Sequence, residues 1–240
     1  MNLLAIDTAC ERFSAALACG ADTWLFEADA GLRHSELVMG GVDMLVKTAS
    51  LKPEDLSGVV CMGGPGSFTG LRIGFSLAKG LALSLGIPFA AIPTLECMAK
   101  PFSPLPQIIA PVIDAKQGAF FCALFQNGRR LCPDMDAKPE KIAAAIAGAL
   151  SRETAGGGKA LLTGPGARLL YDRLVAAGGS AGKGIIVPEG LRWGNALALL
   201  EIARESKVLE NGGGDLSSGP EYIRKSDAEI QSAGGLPVIK

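Results

Sequence analysis

The stretch GVVCMGGPGSFTGLRIGFSLAKGLALSLG, residues 58–86, constrains this chain more than any other, because an apolar strand turns through glycines straight into a long apolar helix. Val59, Val60 and Cys61 read as the strand, and Gly63, Gly64, Pro65 and Gly66 break it with residues that accept turn geometries closed to others. Ser67 and Thr69 are both able to cap the helix that follows, whose first-turn N–H groups and positive dipole end suit an anion. A plain strand–helix corner would have the same composition. The loop fails both familiar phosphate patterns. Gly70 is followed by Leu71 and Arg72 where a P-loop has Lys and then Ser or Thr, and the sixth place counted from Gly64 is Thr69 where a dinucleotide fingerprint has glycine.

From Leu71 to Leu85 the only charges are Arg72 and Lys79, so the helix needs cover on more than one side. It is too short, and its charges too central, for a membrane span. Gly70, Gly74, Ala78 and Ala82 recur every four residues as a stripe of small side chains that would let another helix backbone come close. A central helix within one subunit and a helix shared with a second both satisfy this pattern. A second helix is expected from His34 to Ala49. Its charges, Glu36, Asp43 and Lys47, fall on a narrow stripe, while Leu37, Val38, Val42, Met44, Leu45 and Val46 spread over the rest. Two successive helices with more apolar face than one sheet can cover point to a contact between molecules, with mutual packing as the alternative.

Composition narrows the class. At 240 residues and 48% hydrophobic the chain buries a substantial core in one large domain or two lobes. A formal net charge of −1 supplies no basic field for a polyanion, so tight nucleic-acid binding by this chain alone is not expected. Cys10, Cys19, Cys61, Cys97, Cys122 and Cys132 form no CxxC pair and sit mostly in apolar runs, as free thiols in a reducing cytoplasm would. The start of the sequence reads as a strand that meets Asp7 and Glu11, unlike a signal peptide.

Taken in order, residues 2–8, 13–18 and 23–28 read as three strands, then come the His34 helix, the Gly58 strand, the Leu71 helix and a strand over 88–92: βββαβα. From Gln107 the order starts again. Val112-Ile113-Asp114 echoes Ala5-Ile6-Asp7, and Ala123-Leu124 stands as far beyond Asp114 as Ala16-Leu17 stands beyond Asp7. Leu161-Leu162-Thr163-Gly164-Pro165-Gly166 answers the first GPG turn, with helices expected at 139–150 and 193–204 and a strand at 184–187. The glycine-rich pieces at 155–158 and 211–219 read as loops. The fold expected is α/β, with two tandem ribonuclease H-like βββαβα lobes of the actin, sugar kinase and Hsp70 superfamily. The N-terminal lobe takes residues 1–104 and the C-terminal lobe 105–240, with the 211–240 tail a candidate to pack back on the first. In that superfamily a nucleotide lies between the lobes, but a fold does not settle a function.

Few residues are available for chemistry. Asp7 and Asp114 are placed to face one another across such a cleft and hold a metal or water, or each to bond local N–H groups. His34 is the only histidine, so no histidine-based metal site can be assembled beyond one ligand plus carboxylates; capping or packing at its helix entry is the plainer role. No Ser-His-Asp, Cys-His or HExxH arrangement is present.

LAIDTA at Leu4 to Ala9, RHSE at Arg33 to Glu36, GGPGSFTGLRIG at Gly63 to Gly74, and PEYIR at Pro220 to Arg224 followed by Ala228-Glu229 closely resemble the bacterial TsaB (YeaZ) family. These motifs run from one end of the chain to the other, and the GPGSFTGLRIG block is highly specific. The resemblance implies a non-catalytic paralogue of the transferase TsaD, needed for making threonylcarbamoyladenosine (t6A) in tRNA. It implies a heterodimer with TsaD through the two N-terminal-lobe helices, a TsaE-type ATPase docked on the pair, and a homodimer when the partner is missing. Contact with tRNA would come only through the complex, with no membrane and a cytoplasmic setting. The partner-binding residues would be His34, Leu37, Val38, Gly41, Leu45, Gly70, Arg72, Ile73, Gly74, Leu77, Ala78 and Leu81. Asp7, Thr8, Gly64, Gly66, Ser67 and Asp114 would be the contacts for a nucleotide or anion. No cofactor of its own is implied, ATP or ADP with Mg being expected at the complex interface. Ala9 stands where many relatives have Ser, which bears on any phosphate contact at the Asp7 loop, and Glu221 interrupts a usually apolar spot. A glycoprotease-like metallopeptidase and a free-standing ATPase or kinase of the same superfamily are the alternatives.

Overall fold

A computed structural model describes residues 1–152, 158–178, 182, 184–188, 190, 194–210, 213–214 and 216–223. Trp193, the glycine-rich 155–157 and Arg224, Ala228 and Glu229 of the C-terminal motif lie outside the described residues.

Three strands, β1 (Asn2–Asp7), β2 (Arg12–Cys19) and β3 (Asp22–Asp29), form an antiparallel meander. After α1 (His34–Thr48), β4 (Gly58–Gly64) pairs parallel to β1, and after α2 (Phe68–Leu85), β5 (Phe89–Pro93) pairs parallel to β4. The sheet order is β3-β2-β1-β4-β5. Successive side chains leave a strand on opposite faces, and both faces of this sheet are covered, so β1 and β4 are apolar almost throughout. Leu4, Ile6, Phe13, Ala15 and Leu17 pack with α1 and α2 residues such as Val38, Leu45, Phe75 and Ala78. The opposite face carries Leu3, Ala5, Ala16, Ala18 and Val60.

A short helix, α3 (Thr94–Ala99), leads into the second sheet. Its strands are β6 (Ile108–Asp114), β7 (Phe120–Cys122), β8 (Phe125–Gln126), β9 (Arg129–Arg130), β10 (Met135–Ala137), β11 (Ala160–Thr163) and β12 (Ile185–Ile186). Helix α4 (Pro139–Arg152) precedes β11 and α5 (Ala167–Ala176) follows it. The order β10-β7-β6-β11-β12 repeats that of the first sheet position for position, as the internal echo predicts. Ile142, Ile146, Leu170 and Leu174 of α4 and α5 cover one face; Leu95 and Met98 of α3 cover the other, against Ile109 and Ile113.

The chain does not stay in the second lobe to its end. Helix α6 (Ala196–Ser206) packs Ala196, Leu199, Leu200 and Ala203 against Leu3, Ala5, Ala16 and Val60, filling the open face of the first sheet. The return therefore comes at α6, ahead of the expected boundary at 211. Residues 213–214 and 216–223 continue along the first lobe, with Gly214 N–H donating to the Phe89 carbonyl and Glu221 N–H to that of Gly63 at 2.8 Å.

Some expectations shift by a few residues, each for a local reason. Helix α2 begins at Phe68, three residues before Leu71, because Ser67 caps it by accepting Gly70 N–H at 3.2 Å; Thr69 lies within the first turn. Helix α6 begins at Ala196, and the strand expected at 184–187 is confined to Ile185–Ile186. Ala123-Leu124 falls between β7 and β8, not in the strand matching β2. Asp7 pairs with Ser14 but Asp114 pairs with Phe120, so the second hairpin is one residue tighter and equal sequence spacing no longer marks equal position. The β8–β9 hairpin has no counterpart in the first lobe. No helix among the described residues is long and apolar enough to cross a membrane.

Candidate functional site

Asp7 ends β1 and is 1% exposed. One carboxylate oxygen accepts Ala9 N–H at 3.0 Å, and the other accepts both the backbone and the side-chain N–H of Asn195, each at 3.0 Å. Burial pushes its pKa above the ordinary 3.8, opposed by those N–H groups of Ala9 and Asn195 and by nearby His34. The next two residues face the GPG turn. The Thr8 hydroxyl donates to the Gly70 carbonyl at 2.7 Å, and Ser67 N–H donates to the Ala9 carbonyl at 2.7 Å. A Cβ on Gly66 would stand 2.6 Å from the Ala9 carbonyl oxygen, and one on Gly70 would overlap that of Thr8, so glycine is required at both places. Gly64 holds φ +111° and donates to the Thr94 hydroxyl at 3.2 Å.

These contacts test the fit of a nucleotide phosphate at this loop. A phosphate cradle offers free N–H groups across open glycines. Here Thr8 and Ala9 direct carbonyl oxygens over Gly70 and Gly66, and the Ser67 N–H is already given to one of them. The Asp7 loop does not fit a phosphate, since it and the GPG turn fill the space between them. Nor do Asp7 and Asp114 share a site. Asp114 accepts Lys116 N–H at 2.8 Å and pairs with the Lys116 ammonium at 3.1 Å. It borders a cavity of about 610 Å³ walled by His34, Ser67, Leu71 and Tyr222, whereas Asp7 borders another of about 270 Å³ with Arg12, Thr163 and Asn195. Local N–H bonding is the role both acids adopt. No set of three His, Cys, Asp or Glu placed to hold a metal occurs among the described residues.

His34, the first residue of α1, is 5% exposed and packs rather than caps; its Nε2 has no hydrogen-bond partner. The two helices turn only part of their apolar surface outward. Of the residues expected to meet a partner, His34, Val38, Gly41, Leu45, Gly70, Gly74 and Ala78 lie inside the chain's own core. The small-residue stripe admits not another helix but the backbone and side chain of Thr8, with the Thr8 hydroxyl 2.5 Å from where a Gly74 Cβ would be. Gly41 likewise makes room for the Phe13 and Phe26 rings. Leu37, Ile73, Leu77 and Leu81 remain half-buried and Arg72 exposed. On the same two helices Met39, Met44 and Leu83 are 54%, 55% and 67% exposed.

Three participants escape sequence reasoning. Ser14, Glu27 and Asn195 join the Asp7 site through strand pairing and the return of α6. The charges of α2 are also put to use. Arg72 lies 3.8 Å over the Phe68 ring and donates to the Tyr222 hydroxyl at 3.0 Å, while the Lys79 ammonium donates to the carbonyls of Leu216 and Ser218.

Residues 28–161 match the family model described as TsaD, tRNA N6-adenosine threonylcarbamoyltransferase. Among curated relatives, the tRNA threonylcarbamoyladenosine biosynthesis protein TsaB of Bacillus subtilis is 39% identical over 142 residues, 57% of this chain and 62% of the relative. TsaB of Escherichia coli is 35% identical over 53% of this chain and 56% of its own length. A tRNA N6-adenosine threonylcarbamoyltransferase of Pelodictyon phaeoclathratiforme is 28% identical over 55% of this chain and 41% of its own. The chain thus spans between 41% and 62% of the length of these curated relatives. YeaZ from Pseudomonas aeruginosa superposes with a TM-score of 0.73 at 22% identity, covering 92% of this chain and 99% of that one, which shows a common fold.

Proposed function

This chain belongs to the TsaD family, with TsaB proteins among its relatives, and on that premise we propose that it serves t6A biosynthesis as a non-catalytic subunit that binds and activates a TsaD-type transferase. One observation carries the reading: on α1 and α2, Met39, Met44 and Leu83 stand exposed while Leu37, Ile73, Leu77 and Leu81 are only half-buried. An apolar surface of this kind on successive helices is costly in water and suits a matching helix pair. The lack of catalysis is supported by the Asp7 carboxylate, whose oxygens are taken by Ala9 and Asn195, and by a single histidine. A TsaE-type ATPase joins the pair, any nucleotide with Mg lies at the interface of the assembled complex, and tRNA is met through that complex. The free chain pairs with a second copy through the same helices, in the cytoplasm.

The test is a Met44→Glu, Leu83→Glu double variant, which adds charge at exposed positions and leaves the core intact. It is expected to fold with wild-type thermal stability, to lose co-purification with the transferase and to fail to restore t6A in a strain depleted of this chain. Wild-type association and t6A content would refute the assignment of the surface.

A further inference from the structure

Asp7, Ser14 and Glu27 stand side by side across three strands, Asp7 paired with Ser14 in the β1–β2 ladder and Ser14 with Glu27 in the β2–β3 ladder. Partners directly opposite in a ladder project to one face. On this face each of the three accepts one N–H from the entry to α6. Gly194 donates to Glu27 Oε1 at 2.7 Å, Asn195 to Asp7 Oδ2 at 3.0 Å and Ala196 to Ser14 Oγ at 3.2 Å. The Asn195 side chain gives Asp7 a second bond at 3.0 Å. Asp7 and Ser14 are 1% and 0% exposed, and a Cβ on Gly194 would overlap the Ser14 side chain. Three consecutive donors thus meet three adjacent acceptors. N–H groups at a helix start have no partner within the helix, and acidic groups are favoured at that positive end of the dipole.

The position of this contact in the chain is what gives it a consequence. The lobes are joined by two crossings, one from β5 through α3 to β6 and the other from β12 to α6. The row receives the second crossing at the point where it reaches the first sheet. The Asp7 loop does not fit a phosphate, because backbone carbonyls fill the space over Gly66 and Gly70.

We propose that the Asp7–Ser14–Glu27 row is a built-in clamp. It holds the crossing into α6 with the chain's own N–H groups, so the opening between the lobes is set without nucleotide or divalent cation.

Amide hydrogen exchange on the full chain tests this, with and without Mg-ADP at millimolar concentration. Asp7→Asn keeps the shape but presents one acceptor oxygen where Asp7 uses two, and it is expected to speed exchange at Asn195 and Ala196 by about tenfold or more. Leu4 and Val60, within the sheet, should keep their protection. Ser14→Ala should speed exchange at Ala196 alone, and Glu27→Gln, which retains an oxygen, should leave Gly194 protected. Mg-ADP should leave the wild-type pattern unchanged. Wild-type protection at Asn195 and Ala196 in both Asp7→Asn and Ser14→Ala would overturn the clamp, as would Mg-ADP altering exchange at 194–196 in the wild type. If Asp7→Asn does not fold, Ser14→Ala decides by itself.

Discussion

The Thr8 hydroxyl donates to the Gly70 carbonyl at 2.7 Å, and the Thr8 carbonyl lies so close to the Gly70 Cα that no side chain fits between them. This one contact binds the end of β1 to the first turn of α2. It converts the most specific motif of the sequence from a ligand loop into a packing joint.

Gly70→Ala therefore forces backbone apart and is expected to destabilise the fold by about 1–3 kcal/mol or more. Gly80, further along the same helix, has no atom within 4 Å of where its Cβ would be. Gly80→Ala should be neutral or stabilising by up to roughly 1 kcal/mol through helix propensity. Urea unfolding midpoints of the two variants compare them directly, and equal midpoints would contradict the joint.

Ala78 is 0% exposed and sits among Leu4, Ile6 and Phe75. Ala78→Glu buries an unpaired carboxylate in the chain's own core, with an expected cost of about 3–5 kcal/mol. Circular dichroism melting of the isolated variant should show the loss before any partner is added. A variant that melts as the wild type does would place Ala78 at the surface.

Burial pushes the Cys61, Cys97 and Cys122 thiols above the ordinary 9.0; at Cys97 the charges of Asp7 and Glu96 add to the effect. Less thiolate and no access together make a thiol inert. Iodoacetamide applied to the native chain near neutral pH should modify Cys19 and Cys132, which are half-buried, well before these three. In denaturant all six cysteines should react alike, as mass spectrometry of peptides would record.

Lys79 anchors residues 216–218 to α2 by donating to two backbone carbonyls. Lys79→Met keeps the apolar stem and removes the donors. Global stability is expected to fall by only about 1–2 kcal/mol, while limited proteolysis between 213 and 223 accelerates. Unchanged cleavage there would show that the Arg72–Tyr222 and Glu221–Gly63 contacts suffice to hold the segment.

Much of this molecule is written locally. The alternation in residues 2–8 and 13–18, the glycine turn before Phe68 and the apolar spacing of α1 and α2 each specify an element through backbone preference and side-chain period, which neighbours in sequence decide. The repeat of strand order in the second half could be read the same way. Burial could not. Leu45 and Met44 are adjacent apolar residues on one helix, yet the first is 3% exposed and the second 55%, because β2 and α2 lie on one side only. Ser14, Glu27 and Asn195 carry no motif, and they meet Asp7 solely because two hairpin registers and the return of α6 bring positions 7, 14, 27 and 195 together. Sequence alone determined the main elements of the first lobe, their order and their duplication, though not α3 or the β8–β9 hairpin, since local torsion and periodicity encode the longer elements. Tertiary structure decided which apolar faces stay open and what occupies the Asp7 loop, since both depend on partners far along the chain competing for the same space.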